Sequence, residues 1–405
     1  MKLLRGKMVS MLLFISVLFF LITSGPPVGF AQVVFDQNDV IFMVDELSPV
    51  VEAGNFQQGT GPALSAASAL VMDANTGQVL FARKAHQPRP IASTTKIMTA
   101  LVAIECGKLY KLATVSPHAA GVEGSSVYLT AGEKLTLEEL IYGALMHSGN
   151  DACVAIAENV AGREEVFVNF MNYKAHRLGA RNTNFCNTNG LPHDRHLSSA
   201  YDLALITRYA LKNPVFSRIV ATKTHSIAGA KGKRILSNTN KMLWSYQGAD
   251  GVKTGTTHAA GKCLVSSATR DGRRLIAVVL HSDDRWGESI RLLNYGFEEY
   301  ANRVVAGKGE AFAAVTIENG VKRSLPVTVD RDVVVTVPVN QGDKIEQNVL
   351  LEREVAAPIV PDQEVGKLEV LVEGERVAEA KLITMEGTAE LPYHRLLWRQ
   401  LYSKL

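Results

Sequence analysis

Three short polar motifs in a fixed order place the strongest constraint on how this chain folds. They are Ser93-Thr94-Thr95-Lys96, Ser148-Gly149-Asn150 and Lys253-Thr254-Gly255. Each motif is common by itself, but the ordered combination is improbable by chance. Together they supply a nucleophilic hydroxyl, two amines, a second hydroxyl, an amide and a close-approach glycine, which suit attack on an acyl group. A fold that uses all of them must bring three distant segments to one pocket.

The first motif predicts a nucleophile and its base on one helix. Apolar residues at helical spacing follow Pro90, so Ser93 lies at the helix start and Lys96 on the same face one turn later. We therefore expect the Lys96 amine within reach of the Ser93 hydroxyl. Burial and a second ammonium, that of Lys253, would lower the pKa of Lys96. In this hypothesis Ser93 attacks and neutral Lys96 takes its proton.

The other motif residues have predicted roles around the reacting carbonyl. Ser148 relays the proton toward the leaving amine, and Asn150 positions the base and the substrate amide. Lys253-Thr254-Gly255 lies on an edge strand, where Gly255 admits substrate backbone while Lys253 and Thr254 hold an anionic group. The backbone N–H groups of Ser93 and Thr256 form the predicted oxyanion hole.

Changes in the apolar pattern divide the chain into segments. Residues 1–31 have a basic start, an apolar run and a small-residue end at Ala31, which predicts a cleaved signal peptide and export, with an uncleaved membrane anchor as the alternative. Residues 32–61 form a lead-in. Residues 62–303 have strands at both ends and a helical middle, which predicts a layered α/β domain with a helical lobe.

The pattern of apolar and polar residues changes in the C-terminal quarter of the chain. Residues 307–387 alternate apolar and polar residues in short runs, which predicts a small all-β domain of the sandwich type. Residues 391–405 place leucines on one helical face and basic residues on another, which predicts an amphipathic helix that associates with a membrane surface. The alternative for this helix is docking on the β domain.

Composition argues against several classes of function. The 405 residues with 47% hydrophobic content favour two domains, and a net charge of +3 makes nucleic acid an unexpected partner. The four cysteines have no Cys-x-x-Cys spacing, so we interpret most of them as buried thiols rather than zinc ligands. No metal or cofactor is predicted.

The histidines near these motifs allow other interpretations. His147 adjoins Ser148 and suggests a Ser/His triad, but no Gly-x-Ser-x-Gly sequence accompanies it. His193 and His196 flank Asp194 and suggest a metal, but a third spaced ligand is lacking, so a solvated loop is the preferred interpretation.

The motifs resemble those of the low-molecular-mass penicillin-binding proteins. These are the D-alanyl-D-alanine carboxypeptidases of the serine peptidase clan that also contains class A β-lactamases. The resemblance covers about residues 62–300 and includes Asn189-Gly190-Leu191, the segment 198–204 and Gly296-Phe297. It implies a β-lactamase/DD-peptidase-like α/β fold, with an antiparallel sheet flanked by helices plus a helical lobe. It also implies that Arg285 helps to bind the terminal carboxylate of the substrate.

The resemblance implies a serine-type carboxypeptidase that removes the terminal D-alanine of peptidoglycan stem pentapeptides through an acyl-enzyme on Ser93. β-Lactams are then covalent inhibitors, and the C-terminal helix sits on the outer face of the cytoplasmic membrane. The alternative is a β-lactamase, but no Glu-x-x-Leu-Asn sequence lies between Asn150 and Lys253. A second alternative is a non-catalytic exported cell-wall-binding protein, to which penicillin would not attach covalently.

Overall fold

The computed structural model describes residues 61–229, 232–341 and 344–395. The predicted signal peptide at 1–31, the lead-in up to residue 60 and residues 396–405 of the predicted C-terminal helix lie outside the described residues. Within the described ranges, no helix is long and apolar enough to cross a membrane.

The strands that the structure describes before residue 300 build one main sheet and two small hairpins. They are β1 (Ser68–Asp73), β2 (Val79–Arg83), β3 (Leu112–Thr114), β4 (Lys134–Thr136), β5 (Thr224–Ile227), β6 (Arg234–Ser237), β7 (Ala249–Thr257), β8 (Gly261–Arg270) and β9 (Arg273–Ser282). The main sheet is antiparallel in the order β2-β1-β9-β8-β7, which leaves β7 at an edge. The hairpins pair β3 with β4 and β5 with β6.

Helices cover both faces of the main sheet and form a separate lobe. After a 3-10 turn at Ala92–Thr95, they are α1 (Lys96–Cys106), α2 (Pro117–Ala120), α3 (Leu137–Met146), α4 (Asn150–Ala161), α5 (Glu164–Arg177), α6 (Ala200–Lys212), α7 (Pro214–Ala221), α8 (Met242–Ser245) and α9 (Arg285–Glu298). Strand alternation separates the two cores. Leu70 and Met72 pack with α1 and the lobe, whereas Val71 packs with Leu292 of α9.

Local signals in the sequence explain where several elements begin and end. Thr136 and Glu139 form a capping box at α3, with the Thr136 N–H donating to Glu139 over 2.8 Å and the Glu139 N–H donating to Thr136 over 3.2 Å. Ser199 caps α6, and its side chain accepts a hydrogen bond from the Asp202 N–H over 3.0 Å. Asp271 and Gly272 both have positive φ and make the two-residue turn between β8 and β9.

The second folded part is all-β. Its strands are β10 (Tyr300–Ala306), β11 (Ala313–Glu318), β12 (Ser324–Val329), β13 (Val333–Pro338), β14 (Ile345–Leu351), β15 (Val355–Ala356), β16 (Glu364–Val372) and β17 (Glu375–Thr384). A six-stranded sheet in the order β14-β16-β17-β12-β11-β15 shares an apolar core with the β10-β13 pair. The predicted fold class of α/β domain plus small all-β domain is confirmed.

The junction between the two parts lies at Tyr300. The apolar pattern from Trp286 to about Tyr300 is typical of a helix, and α9 occupies most of it but ends at Glu298, so that Tyr300 opens β10. β10 pairs antiparallel with β13, so tertiary pairing outweighs local pattern there. The Gln78 side chain donates to the Thr336 carbonyl over 3.0 Å, which joins the β1-β2 hairpin to the all-β part.

Candidate active site

The 3-10 turn that carries Ser93 is held from several sides. The hydroxyls of Thr94 and Thr95 donate to the carbonyls of Ile91 and Ala92, each over 2.7 Å. Ala92 has a φ of +49°, a conformation that costs a non-glycine residue energy. Gly190 passes so close that an added Cβ would lie 2.0 Å from the Ala92 oxygen. The backbone next to Ser93 is therefore fixed by its packing.

His196 is hydrogen-bonded to this turn. The prediction that the loop with His193 and His196 is solvated is therefore wrong for His196. His193 is exposed as expected, but His196 is only 3% exposed. The Cys186 N–H donates to its Nδ1 over 3.0 Å, so Nε2 carries the proton and donates to the Thr95 hydroxyl over 2.8 Å. Burial lowers the pKa of His196 to about 4, which keeps the ring neutral.

Lys96 is buried and joins the nucleophile to two fixed carbonyl oxygens. Its Nζ lies 2.9 Å from Ser93 Oγ, 2.8 Å from Asn150 Oδ1 and 2.7 Å from the Asn189 carbonyl oxygen. A carbonyl oxygen only accepts, so each of the latter two contacts uses an N–H of the amine. When the amine loses one proton, its lone pair is left facing Ser93. The arrangement thus orients a base toward the nucleophile.

The second motif forms the turn between α3 and α4. Asn150 begins α4, and its Nδ2 donates to the Glu123 carbonyl over 2.6 Å, which fixes its oxygen toward Lys96. Ser148 is 8% exposed and has a φ of +67°. Such backbone strain is typical of functional turns. Among the described residues, no hydrogen bond joins His147 to either serine, so the geometry gives no support to a Ser/His triad.

Asp151 anchors the segment that faces this turn, a function that the sequence did not suggest. It is 1% exposed and accepts hydrogen bonds from the Ser126 hydroxyl over 2.6 Å and from the N–H groups of Val127 and Leu129. An acidic residue in the first turn of a helix was the available signal.

Thr239 links the second and third motifs, and sequence reasoning missed it as well. Its N–H donates to the carbonyl of Met146, the last residue of α3, over 2.9 Å. Its hydroxyl lies 2.9 Å from that of Thr254. The same short segment includes Asn240, whose amide donates to the Gly251 carbonyl over 2.7 Å. These bonds hold β7 against the end of α3.

The third motif lies on the edge strand β7, as predicted. A Cβ on Gly255 would lie 3.1 Å from the Ser93 nitrogen, so the glycine lets the strand and the turn approach closely. Lys253 is 1% exposed, and its Nζ donates to the Thr254 carbonyl over 3.0 Å. Arg285, at the start of α9, donates to the Gly255 carbonyl over 2.9 Å and to the exposed Thr256 hydroxyl over 2.7 Å.

Burial shifts the ionisation of the basic groups in the site. It lowers the pKa of Lys96 to about 8. The pKa of Lys253 falls well below its ordinary value, through burial first and then through the nearby Lys96 ammonium. Burial also lowers the pKa of the Arg285 guanidinium. Two amines that share one buried site do not both keep a proton easily, which favours a neutral base.

The four cysteines are free, and two of them are buried near the site. Cys153 lies one turn into α4, with its Sγ 3.2 Å from the Gly149 carbonyl oxygen. Burial raises the pKa of Cys153 to about 12 and that of Cys263 to about 11, so both remain thiols. Cys106 and Cys186 are half-buried, so the expectation that most are buried holds for two of the four.

Comparison with known proteins identifies the family. A family model described as D-alanyl-D-alanine carboxypeptidase matches residues 55–284, and the C-terminal domain model of penicillin-binding protein 5 matches residues 300–390. Among curated proteins, the D-alanyl-D-alanine carboxypeptidase DacF of Bacillus subtilis is 33% identical to this chain. The alignment covers 82% of this chain and 88% of the length of DacF. DacD of Escherichia coli is 33% identical over 81% of this chain and 88% of its own.

Solved structures agree with this assignment. Penicillin-binding protein 5 of Haemophilus influenzae aligns with a TM-score of 0.73 and 30% identity, over 82% of this chain and 99% of its own. The DD-transpeptidase of Streptomyces K15 aligns with a TM-score of 0.56 and 34% identity, over 58% of this chain and 99% of its own. The chain therefore belongs to the D-alanyl-D-alanine carboxypeptidase family of serine-type hydrolases.

Proposed function

We propose that this chain removes the terminal D-alanine of peptidoglycan stem pentapeptides through an acyl-enzyme on Ser93. The observation that carries the proposal is the contact of Lys96 Nζ with Ser93 Oγ at 2.9 Å, since two carbonyl oxygens fix the other directions of that amine. A buried amine with a lowered pKa, aimed at a serine hydroxyl, is suited to act as its base. The family membership supports the same reaction.

In the acylation step, Ser93 Oγ gives its proton to neutral Lys96 and bonds to the carbonyl carbon of the penultimate D-alanine. The N–H groups of Ser93 and Thr256 stabilise the negative oxygen that forms. The proton then reaches the leaving nitrogen through Ser148, and the C–N bond breaks. Terminal D-alanine leaves as a free amine, and the remaining peptide is an ester of Ser93.

The third motif and Arg285 hold the terminal carboxylate of the substrate. Arg285 and Thr256 already contact each other over 2.7 Å, so their donors are arranged before substrate binds. A carboxylate near Lys253 favours the protonated form of that amine. The resulting ammonium opposes a proton on Lys96, because two like charges in one buried site repel. Substrate binding thereby promotes the base form of Lys96.

Deacylation restores the enzyme. A water molecule gives up a proton and its oxygen bonds to the ester carbonyl carbon; the bond to Ser93 Oγ breaks, and the serine recovers a proton. Penicillins acylate the same serine and act as covalent inhibitors. Neither a β-lactamase nor a non-catalytic wall-binding protein is favoured by the family assignment.

We extend the proposal to the organisation and location of the chain. Residues 62–303 are the catalytic domain and residues 307–387 the all-β domain. Residues 1–31 are a signal peptide cleaved near Ala31, which delivers the enzyme to the outer face of the cytoplasmic membrane or the cell wall. Residues 391–405 form a helix in peripheral contact with that membrane.

Labelling with a fluorescent penicillin tests the mechanism directly. The native protein should form a stable adduct and release D-alanine from a peptide that ends in D-Ala-D-Ala. Ser93→Ala should abolish both, because the hydroxyl that forms the ester is gone. Ser245→Ala, which removes an exposed hydroxyl in α8, is the matched control and should retain both. A labelled Ser93→Ala variant would refute the proposed nucleophile.

A further inference from the structure

The Asn189 carbonyl that accepts a hydrogen bond from Lys96 belongs to a buried segment without helix or strand structure. On one side of it, Gly190 packs against the turn that carries Ser93. On the other side lies Thr188, which is fully buried. A backbone carbonyl moves together with its neighbours, because each peptide unit is a rigid plane. The position of this acceptor therefore depends on what holds Thr188.

Glu164 holds Thr188 through two hydrogen bonds to one carboxylate oxygen. Its Oε1 accepts from the Thr188 N–H over 2.9 Å and from the Thr188 hydroxyl over 2.7 Å. Hydrogen bonds to an ionised carboxylate are stronger than those between neutral groups. A glutamate in the first turn of a helix ordinarily stabilises its own helix. Here the carboxylate also binds a residue 24 positions further along the chain, next to the acceptor for the base.

The helix that carries the base holds the other polar group of the Thr188 backbone. Thr99 lies on α1 about one turn beyond Lys96, and its hydroxyl donates to the Thr188 carbonyl over 2.6 Å. The N–H of Thr188 is thus bound by Glu164 and its carbonyl by Thr99. Because Thr99 and Lys96 share a helix, these bonds fix the loop relative to the amine.

We propose that Glu164 is a positioning residue for acylation: through Thr188 it fixes the loop carbonyl that orients Lys96. The inference rests on the proposed function, in which Lys96 is the base. Glu164 acts through the loop rather than on the reacting atoms. An amine that loses one fixed acceptor can rotate, and its lone pair then faces the Ser93 hydroxyl for less of the time. The loss therefore affects the rate of acylation and not stability alone.

Two adjacent glutamates provide a matched test. Glu164 and Glu165 both lie in the first turn of α5, where both interact with the helix dipole, but Glu165 is exposed. Glu164→Ala should lower the rate of acylation by benzylpenicillin about tenfold at pH 9, where Lys96 is mainly neutral. Glu164→Gln keeps an oxygen acceptor for Thr188 and should recover most of this loss. Glu165→Ala should acylate at the native rate.

The pH profile of acylation separates positioning from a purely structural contribution. Carbonyl acceptors stabilise the ammonium form of Lys96, so displacement of the Asn189 carbonyl lowers the pKa of that amine. The rate should rise with a midpoint near pH 8 in the native protein. In Glu164→Ala the midpoint should lie about half a pH unit lower. The ionisable groups that interact with the amine are the same in every variant: Lys253, Asp151, Cys153 and His196.

Stopped-flow acylation gives the rates, urea titration gives the stability, and the final amount of label gives the folded fraction of each variant. A native rate and midpoint in Glu164→Ala would show that Glu164 supports only the fold. Equal effects in Glu165→Ala would assign them to the helix dipole. A midpoint shift as large in Glu164→Gln as in Glu164→Ala would assign the shift to the lost charge.

Each of these three outcomes overturns the positioning role while leaving the proposed function intact. A native protein that labels at Ser93 therefore remains consistent with the proposed reaction whatever the variants show. A native protein that neither labels nor releases D-alanine would instead overturn the proposed function itself.

Discussion

The active site and the helical lobe both bury lysines, but they surround them differently. In the lobe, Lys174 donates to Glu105 over 2.8 Å and to the Tyr209 hydroxyl over 3.0 Å, with the Tyr209 ring centroid 4.2 Å away. In the site, Lys96 and Lys253 are hydrogen-bonded to neutral oxygens. A carboxylate partner keeps a buried ammonium charged, whereas neutral oxygens leave it ready to lose its proton.

The contrast separates a lysine that supports the fold from lysines that support chemistry. Lys174 is a buried partner in an ion pair with the half-buried Glu105, and disruption of that pair leaves an unpaired carboxylate. Lys96 is costly to bury as a cation, and the protein tolerates that cost where a base is needed. The two kinds of lysine should therefore respond in opposite ways to the same substitution.

The largest expected effect is on the rate of acylation when Lys96 is replaced. Lys96→Met keeps the approximate length but removes the base, so acylation by benzylpenicillin should fall by about 10³-fold. Its free energy of unfolding should decrease less than that of Lys174→Met, because the substitution leaves two neutral oxygens without a donor but leaves no carboxylate unpaired. Stopped-flow acylation and urea titration measure the two quantities. Marked destabilisation with little loss of rate would reverse the contrast.

Lys174→Met should show the opposite pattern. The unpaired Glu105 carboxylate should lower the free energy of unfolding by about 3 kcal/mol, while the folded variant acylates at the native rate. The double variant with Glu105→Gln should recover part of the loss, because the uncompensated charge is gone. Urea titrations of the single and double variants provide the measurement. Equal stability of Lys174→Met and the native protein would show that this pair does not support the fold.

The pH dependence of acylation sharpens the same distinction. With a Lys96 pKa of about 8, the neutral fraction and the acylation rate of the free enzyme should fall about tenfold per pH unit below that value. The residual rate of Lys96→Met should lack this dependence. Acylation rates measured from pH 5.5 to 9 determine this decrease. A native rate that is flat down to pH 6 would mean that another group is the base.

A smaller effect is expected on the pH dependence of stability, through His196, the buried histidine that contacts the turn carrying Ser93. Its pKa of about 4 in the folded protein lies below the ordinary value of 6.5. The unfolded chain therefore takes up a proton first as the pH falls, and stability should decrease by about 2 kcal/mol from pH 6.5 to 4. His196→Gln removes this contribution. Comparing unfolding free energies across that range tests it, and identical pH profiles for the two proteins would contradict it.

The sequence was most informative where chemistry depends on local spacing. The Ser93 and Lys96 relation follows from one helical turn, and the capping box at α3 depends on Thr136 and Glu139 alone. The order of the three motifs added a resemblance over about residues 62–300, which predicted the fold of that part and indicated Arg285 as a site residue. Each single motif lies within a few neighbouring residues, whereas their order is a property of the whole domain.

The sequence was least informative where long-range packing decides the outcome. Thr239 joins Met146 to Thr254, and His196 reaches Thr95, across separations that no local pattern records. Lys174 occupies a helix, and only its neighbours in the folded chain show that it meets the carboxylate of Glu105. β10 was missed because its partner β13 follows much later in the chain.

Because Cys153 is buried one turn beyond Asn150, the rate at which its thiol reacts can report local opening of the site. A sulfhydryl reagent cannot reach this side chain until α4 separates from its neighbours, so the rate of alkylation reports how often that opening occurs. Occupancy of the nearby serine by an antibiotic would stabilise the closed state and lengthen the half-life of the thiol.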